Sequence, residues 1–235
     1  MRIDFHVHTE YSQDGCIKLK DIEKILAENK IINAIAVTDH NCIEAGLKLS
    51  RNFPDKIIIG EEIDTGEGEI IGYWLHENIS GGEGIKKTLE RIKSQGGITC
   101  IPHPFDRVRS KRINISKLMR EIDQVDMIEI FNSRNLFEVS NLYAGQLAFD
   151  KKLIPVAGSD AHYIKEIGNA WVECETLDTV VDPAKACHAI RSGEIRGKKC
   201  NINCHIKTNI RYFIKRYFPY IQGQTAGSII GSADL

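Results

Sequence analysis

The sequence predicts an α/β fold, a parallel sheet or barrel with helices outside it. Three observations support this. Runs rich in Ile and Val alternate with amphipathic helical stretches as far as about residue 195. The alternation supplies roughly six βα units plus a terminal strand, which suits a barrel of about seven strands. The glycine-rich phosphate loops of nucleotide-binding sheets are missing, which counts against the alternative, an open doubly wound sheet.

The elements follow in order. RIDFHVH is the first strand, and IKLKDIEKILAENK is a helix in which Ile17, Ile22, Ile25 and Leu26 share a face. NAIAVT, ending at Thr38, is the second strand, followed by a polar helix from about Ile43 to Arg51. KIIIGEEI and GEIIGYWL form a hairpin across Thr65-Gly66-Glu67-Gly68. A helix carrying Ile85, Leu89 and Ile92 stops at Gly96-Gly97. ITCIPHP is a strand ended by prolines, and a helix with Ile115, Leu118, Met119 and Ile122 leads into the strand DMIEIFN. A helix with Val139, Leu142, Tyr143 and Leu147 leads into LIPVAGSD. WVECE reads as the last strand and PAKACHAIRSG as the last helix, with Pro183 near its start and Gly193 at its end. Residues 1–197 are therefore expected to form one domain. Residues 198–235 form a basic, aromatic-rich tail ending in a weakly structured TAGSIIGSADL.

Composition narrows the function classes. A chain of 235 residues can bury a sizeable core, and 42% hydrophobic with 27% charged residues is ordinary for a globular protein. A formal net charge of −1 argues against a general nucleic-acid binder. No apolar run approaches the roughly 18 residues of a membrane span, and the first strand carries Asp4 and two histidines, unlike a signal peptide. The seven cysteines are scattered, and reduced thiols in a cytoplasmic protein are expected. Cys200-Asn-Ile-Asn-Cys204-His205 has no second pair nearby, so its thiols are read as ordinary.

The ionisable residues fall at one end of the strands. His6 and His8 end the first, with Asp14 in the loop after it. Asp39 and His40 follow the second, Glu61 and Glu62 lie near the end of the third, and His103 follows ITCIP. Asn132 follows MIEIF, and Asp160 and His162 follow PVAGS. In parallel α/β folds the carboxyl ends of the strands form the active-site face. His6 and His8, two positions apart, point to one side of their strand, with Ile3, Phe5 and Val7 toward the helices. Neighbouring imidazoles repel one another when protonated but suit a shared cation. The pattern predicts a metal centre, with His76, His188 and His205 outside it.

Five segments carry a family resemblance: His6-Val7-His8-Thr9, Thr38-Asp39-His40, Gly60-Glu61-Glu62-Ile63, Pro102-His103-Pro104 and Gly158-Ser159-Asp160-Ala161-His162. In this order they resemble the PHP family, named for polymerase and histidinol phosphatase, over about residues 1–195. The resemblance implies a distorted (β/α)7 TIM-like barrel with up to three divalent cations at the C-terminal face of the strands, commonly zinc, manganese or iron. It implies one ion on His6, His8, Glu62 and Asp160. A second shares Glu62 and takes His103, and a third takes Asp14, His40 and His162. Glu61 is then a supporting or surface residue, and Asp39 orients a ligand histidine. Many relatives carry a histidine where this chain has Glu69. As a ligand, that carboxylate would tilt the site toward manganese, iron or magnesium.

The resemblance also implies hydrolysis of a phosphoester by a metal-activated hydroxide, on a small phosphorylated metabolite or a nucleotide. Asp14, His162 and Asp160 are the expected catalytic residues, with His162 or Asp14 assisting proton transfer to the leaving group. Arg107 and Arg134 are expected to bind substrate, since a planar bidentate donor matches phosphate, and Arg109 ranks below them. Two alternatives stand: an exonuclease or oligonucleotide phosphoesterase, and a non-catalytic regulatory or nucleic-acid-binding module. The tail, with Arg211, Tyr212, Phe213, Lys215, Arg216, Tyr217 and Phe218, is read as an amphipathic helix docked on the barrel or on a second subunit.

Overall fold

The computed structural model describes residues 1–175, 180–201, 204, 206–208, 210 and 213. Its elements are β1 (Arg2–Val7), α1 (Leu19–Glu28), β2 (Ala34–Val37), α2 (Glu44–Asn52), β3 (Ile57–Thr65), β4 (Gly68–Tyr73), α3 (Ile85–Ser94) and β5 (Ile98–Ile101). There follow α4 (Ile115–Leu118), β6 (Met127–Asn132), α5 (Glu138–Lys151), β7 (Ile154–Gly158), β8 (Ala170–Glu173), α6 (Pro183–Arg191) and β9 (Glu194–Gly197). The strands form one sheet in the order β7-β6-β5-β4-β3-β2-β1-β8-β9.

Parallel pairing joins β1 to β2, β2 to β3, β5 to β6 and β6 to β7. The β3–β4 hairpin inserts β4 antiparallel to both neighbours. Among the described residues, the curved sheet comes round on itself at one isolated bridge, between Val7 and Ala161. There the His8 N–H donates to Ala161 O at 2.9 Å and the Ala161 N–H to His6 O at 3.3 Å. The first seven strands thus make a nearly closed, TIM-like barrel, and β8 continues outward from the β1 edge.

Side-chain layers explain where the site lies. Ile3, Phe5, Ala34, Ala36, Ile58, Ile71, Tyr73, Cys100, Met127 and Val156 form one buried cluster filling the barrel. Val7, Ile35 and Val37 instead pack with Ile22, Leu26 and Leu49 of α1 and α2. Phe5 and Val7 therefore face different layers, contrary to strict alternation. The cause is a bulge between Asp4 and Val7, where the register against β2 shifts. A bulge adds a residue and re-aims the side chains after it. Here it turns His6 and His8 toward the mouth of the barrel while Ile3 and Phe5 stay in its core.

Several elements differ in detail from the sequence reading. The stretch around Ile115–Ile122 is a single helical turn followed by a 3-10 turn at Ile122–Gln124. Helix α5 forms as expected, but it buries Ser140, Asn141, Ala144 and Ala148, leaving Val139, Leu142 and Tyr143 exposed. Small residues let the helix approach β6, where Asn141 Oδ1 accepts the Asn132 N–H at 3.2 Å. WVECE is not the last strand, because β9 follows α6 and pairs antiparallel with β8. In the tail, Thr208 is buried against the barrel while Ile206, Ile210 and Phe213 are exposed. Arg211, Tyr212, Lys215, Arg216, Tyr217, Phe218 and the final segment lie outside the described residues.

Candidate metal centre

Two strand-borne imidazoles form the floor of the site. His6 and His8 are fully buried, with Nε2 atoms 3.0 Å apart. The other nitrogen of each ring has its own partner. His6 Nδ1 lies 3.2 Å from Glu129 Oε1, and His8 Nδ1 lies 3.0 Å from Ser12 Oγ. Donation from Nδ1 to these oxygens leaves both Nε2 lone pairs converging, an arrangement that a cation relieves. Asp160 Oδ1 lies 3.8 Å from His6 Nε2 and 3.5 Å from His8 Nε2, and has no hydrogen-bond partner although buried.

Glu62, at the end of β3, is central. Its Oε2 lies 3.3 Å from His6 Nε2, 3.2 Å from His8 Nε2 and 3.4 Å from His40 Nδ1, while Oε1 lies 3.0 Å from His103 Nε2. Burial would raise the Glu62 pKa, but the surrounding imidazoles outweigh it and hold the carboxyl well below the usual range. Glu69 points into the same cluster. It is 5% exposed, with oxygens 3.9 Å from His40 Nδ1 and from His103 Nε2. Burial, then the charge of Glu62, pushes its pKa well up.

A third group of donors lies toward solvent. Asp14 Oδ2 lies 3.0 Å from His162 Nε2 and 3.8 Å from His40 Nε2. The Asp14 Oδ1 and His40 Nδ1 atoms are buried without a hydrogen-bond partner. Burial opposes ionisation of Asp14, yet His162, His40 and His8 bring its pKa far below the ordinary value. Donor atoms of four overlapping sets lie within 4.8 Å of one another: His6, His8 and Asp160; His6, Glu62 and His103; His40, Glu62 and Glu69; and His8, Asp14, His40 and His162. Nitrogen and carboxylate donors with orphaned buried atoms fit divalent cations such as zinc, manganese or iron. His103 and Asp160 sit at φ 28° and 54°, a left-handed backbone costing non-glycine residues on the order of 1–2 kcal/mol.

The surrounding residues sort differently from expectation. Among the described residues Asp39 touches no imidazole directly and reaches His8 through Ser12, which it hydrogen-bonds and whose Oγ lies 3.0 Å from His8 Nδ1. The Asp39 carboxylate accepts the Thr9 N–H and the Thr9 hydroxyl, each at 2.6 Å, fixing the loop after β1. Glu61 is not at the surface. It is fully buried, accepts the Ile79 N–H at 2.9 Å, and burial lifts its pKa to about 7. Arg107 is exposed and does not line the cavity over the site, whereas Arg134 and Arg109 do. The Arg134 guanidinium is engaged by Glu166 and Thr208. Arg109 binds Asp160 through Nη2 and Asp106 Oδ2 through Nε at 3.2 Å.

Glu129 escaped the sequence reading. It is buried in β6, and its Oε2 accepts the His103 N–H and Asn132 Nδ2, both at 2.8 Å, while Oε1 meets His6. The signal was available, since a lone acid sits inside the apolar run DMIEIFN on the same face as Met127. Gly158 makes room for it, because a Cβ there would overlap the Glu129 carboxylate and His6.

The cavity above these donors, about 650 Å³, is lined among others by Tyr11, Asp14, His40, Glu69, Arg109 and Lys111. Comparison with known proteins places the chain in a family. A family model described as PHP domain matches residues 4–143, and one described as PHP-associated matches residues 139–195. The uncharacterized protein MJ0417 of Methanocaldococcus jannaschii is 35% identical over 182 residues, covering 76% of this chain and 72% of that protein. A Bacteroides vulgatus two-domain protein containing a predicted PHP-like metal-dependent phosphoesterase superposes with a TM-score of 0.64 at 17% identity, covering 90% of this chain and 69% of that one. Endonuclease Q, bound to a 27-mer duplex with an abasic lesion, superposes with a TM-score of 0.59 at 14% identity, covering 83% of this chain and 57% of that one. The structural likenesses carry the fold, and the family match spans more than half the sequence: the chain belongs to the PHP family.

Proposed function

We propose that this protein is a metal-dependent phosphoesterase acting on a small phosphorylated metabolite or nucleotide, with two to three divalent cations as cofactor. The observation that carries the reading is the convergence of His6 and His8 Nε2 with Glu62 and Asp160 oxygens, each imidazole oriented by a separate partner on Nδ1. His6, His8, Glu62 and Asp160 would hold one cation. Glu62, Glu69 and His103 would hold a second, and Asp14, His40 and His162 a third. Bound there, divalent cations lower the pKa of coordinated water toward neutrality and neutralise phosphoryl charge.

The chain's own groups supply the rest. Arg109 and Lys111 line the cavity, and their positive charge suits phosphoryl oxygens beyond the donor cluster. Asp14 Oδ1, buried without a hydrogen-bond partner, suits orienting a water by accepting its hydrogen. His162, whose Nε2 lies 3.0 Å from Asp14 Oδ2, is placed beside it to serve the leaving oxygen when only two ions are bound. A volume of about 650 Å³ is in the range of small-molecule sites. Residues 1–197 are proposed as the catalytic unit and 198–235 as an appendage.

The test begins with ion content. Protein reconstituted with manganese, zinc or iron and then desalted should retain two to three ions per chain by elemental analysis. It should hydrolyse phosphomonoesters in a screen that includes an abasic duplex as the contrasting substrate. Alanine at His8 or at Asp160 should abolish hydrolysis with the fold retained. Full activity in both variants would refute the assignment.

A further inference from the structure

A second cluster of donors lies behind the cavity wall, outside the nitrogen and carboxylate centre. Cys200 and Cys204 bring their Sγ atoms to 2.7 Å, and Cys200 Sγ lies 3.6 Å from Glu166 Oε1. One donor atom from each of the three residues lies within 4.8 Å of the others. Glu166, 4% exposed, is held rigidly for such a role. Its Oε2 accepts the backbone N–H of His162 at 2.8 Å and of Tyr163 at 3.2 Å, and Nη1 of Arg134 at 3.2 Å. Oε1 is left facing sulfur.

We propose that Cys200, Cys204 and Glu166 bind one thiophilic divalent cation, zinc by its chemistry, which fastens the C-terminal segment to the loop after β7. The spacing of three residues between the cysteines is within the range of zinc-binding pairs. A sulfur separation of 2.7 Å exceeds the roughly 2.05 Å of a disulfide, and the cysteines are free thiols. Tetrahedral zinc with bonds of about 2.3 Å needs the two sulfurs nearly 4 Å apart, so they must separate by about 1 Å. The charges balance, because two thiolates and one carboxylate meet a divalent cation and the Arg134 guanidinium. A free thiol carries its proton near neutral pH and binds a metal as the thiolate. Binding therefore breaks two S–H bonds, forms two metal–sulfur bonds and releases two protons to solvent, with no change of oxidation state. Water completes the fourth position.

The site would shape the active-site cavity without touching the reaction. Arg134 Nη2 donates to Thr208 Oγ1 at 2.9 Å and to Cys204 O at 3.4 Å, and both Arg134 and Thr208 line the cavity. Fixing Cys204 therefore fixes one wall.

Cobalt distinguishes the two centres, because sulfur-to-cobalt charge transfer absorbs in the near ultraviolet and nitrogen or oxygen donors give no such band. The full chain, reduced with a phosphine under argon, is titrated with cobalt(II), which also enters the nitrogen and carboxylate centre but gives no such band there. At saturation a near-ultraviolet band of the intensity of one two-thiolate site per chain is expected in the wild type and in Cys16→Ser, whose sulfur lies close to the Asp14 backbone. It should vanish in Cys200→Ser and in Cys204→Ser, and each should retain one zinc fewer per chain. No band in fully reduced wild type, or a band that survives both substitutions, would overturn the proposal. So would a Cys200–Cys204 disulfide in protein isolated with its thiols blocked at lysis.

Discussion

Replacing Glu129 by Gln separates orientation of a metal ligand from ligation itself. The carboxylate accepts from three donors: the His6 ring at 3.2 Å, and the His103 N–H and Asn132 amide at 2.8 Å each. A carboxamide has one accepting oxygen, so it cannot serve all three. If its NH2 faces His6, the imidazole must accept at Nδ1 and carry its proton on Nε2, the atom that converges with His8. If the NH2 faces the other side, two donors at His103 and Asn132 lose their acceptor. Hydrogen bonds to charged groups are worth roughly 1.5–3 kcal/mol each, and loss of a ligand's orienting partner typically costs about 10–100-fold in metal affinity. The expected result for Glu129→Gln is therefore a 10–100-fold rise in the manganese or zinc Kd, measured by competition with a chromophoric chelator. Circular dichroism should show an unchanged fold. Affinity within twofold of wild type in a folded variant would refute the role assigned to Glu129 and the tautomer assigned to His6.

Other expectations follow from the same geometry. Gly158→Ala should lower stability by about 1–3 kcal/mol in urea unfolding, because the added methyl overlaps the Glu129 carboxylate and His6; an unchanged midpoint would contradict this close packing. Arg109→Ala should raise KM for a phosphomonoester at least tenfold, against a change below threefold for Arg107→Ala, whose side chain is exposed and outside the cavity lining. Adding the cognate metal at about 100 times its Kd should stabilise the native state by about 2.7 kcal/mol, or roughly 5–10 °C in Tm for a chain of this size. A Tm that ignores metal and chelator alike would mean that the cluster binds no cation.

Much of the site was legible because strand ends obey simple rules. Period-two alternation put His6 and His8 on one side, and the parallel fold put Glu62, His103 and Asp160 on one rim. Alternation failed at Phe5, since a bulge is set by pairing between distant strands and leaves no mark in RIDFHVH itself. β9 was missed because Glu-Ile-Arg-Gly carries one apolar residue on an edge that stays largely exposed. The sequence carries no sign that sets Arg109 above Arg107, because the aim of a loop side chain has no periodicity to read. Asp106, which holds Arg109 against Asp160, is the cue that only the folded loop supplies.

The bridge between Val7 and Ala161 has a further consequence in polymer terms. It is the seam at which the barrel's first and seventh strands meet, and donors stand on both sides of it. Asp14 and His162, 148 residues apart, come within 3.0 Å across this closure. A cation gripped by both is a cross-link around most of the chain, and a permanent tie over a loop of that length removes about 5 kcal/mol of unfolded-state entropy. Asp160 and His162, which follow β7, join the donors of β1 only once the sheet has come full circle, so a cation held by both groups would close the ring, whereas the set of His6, Glu62 and His103 needs no partner from β7.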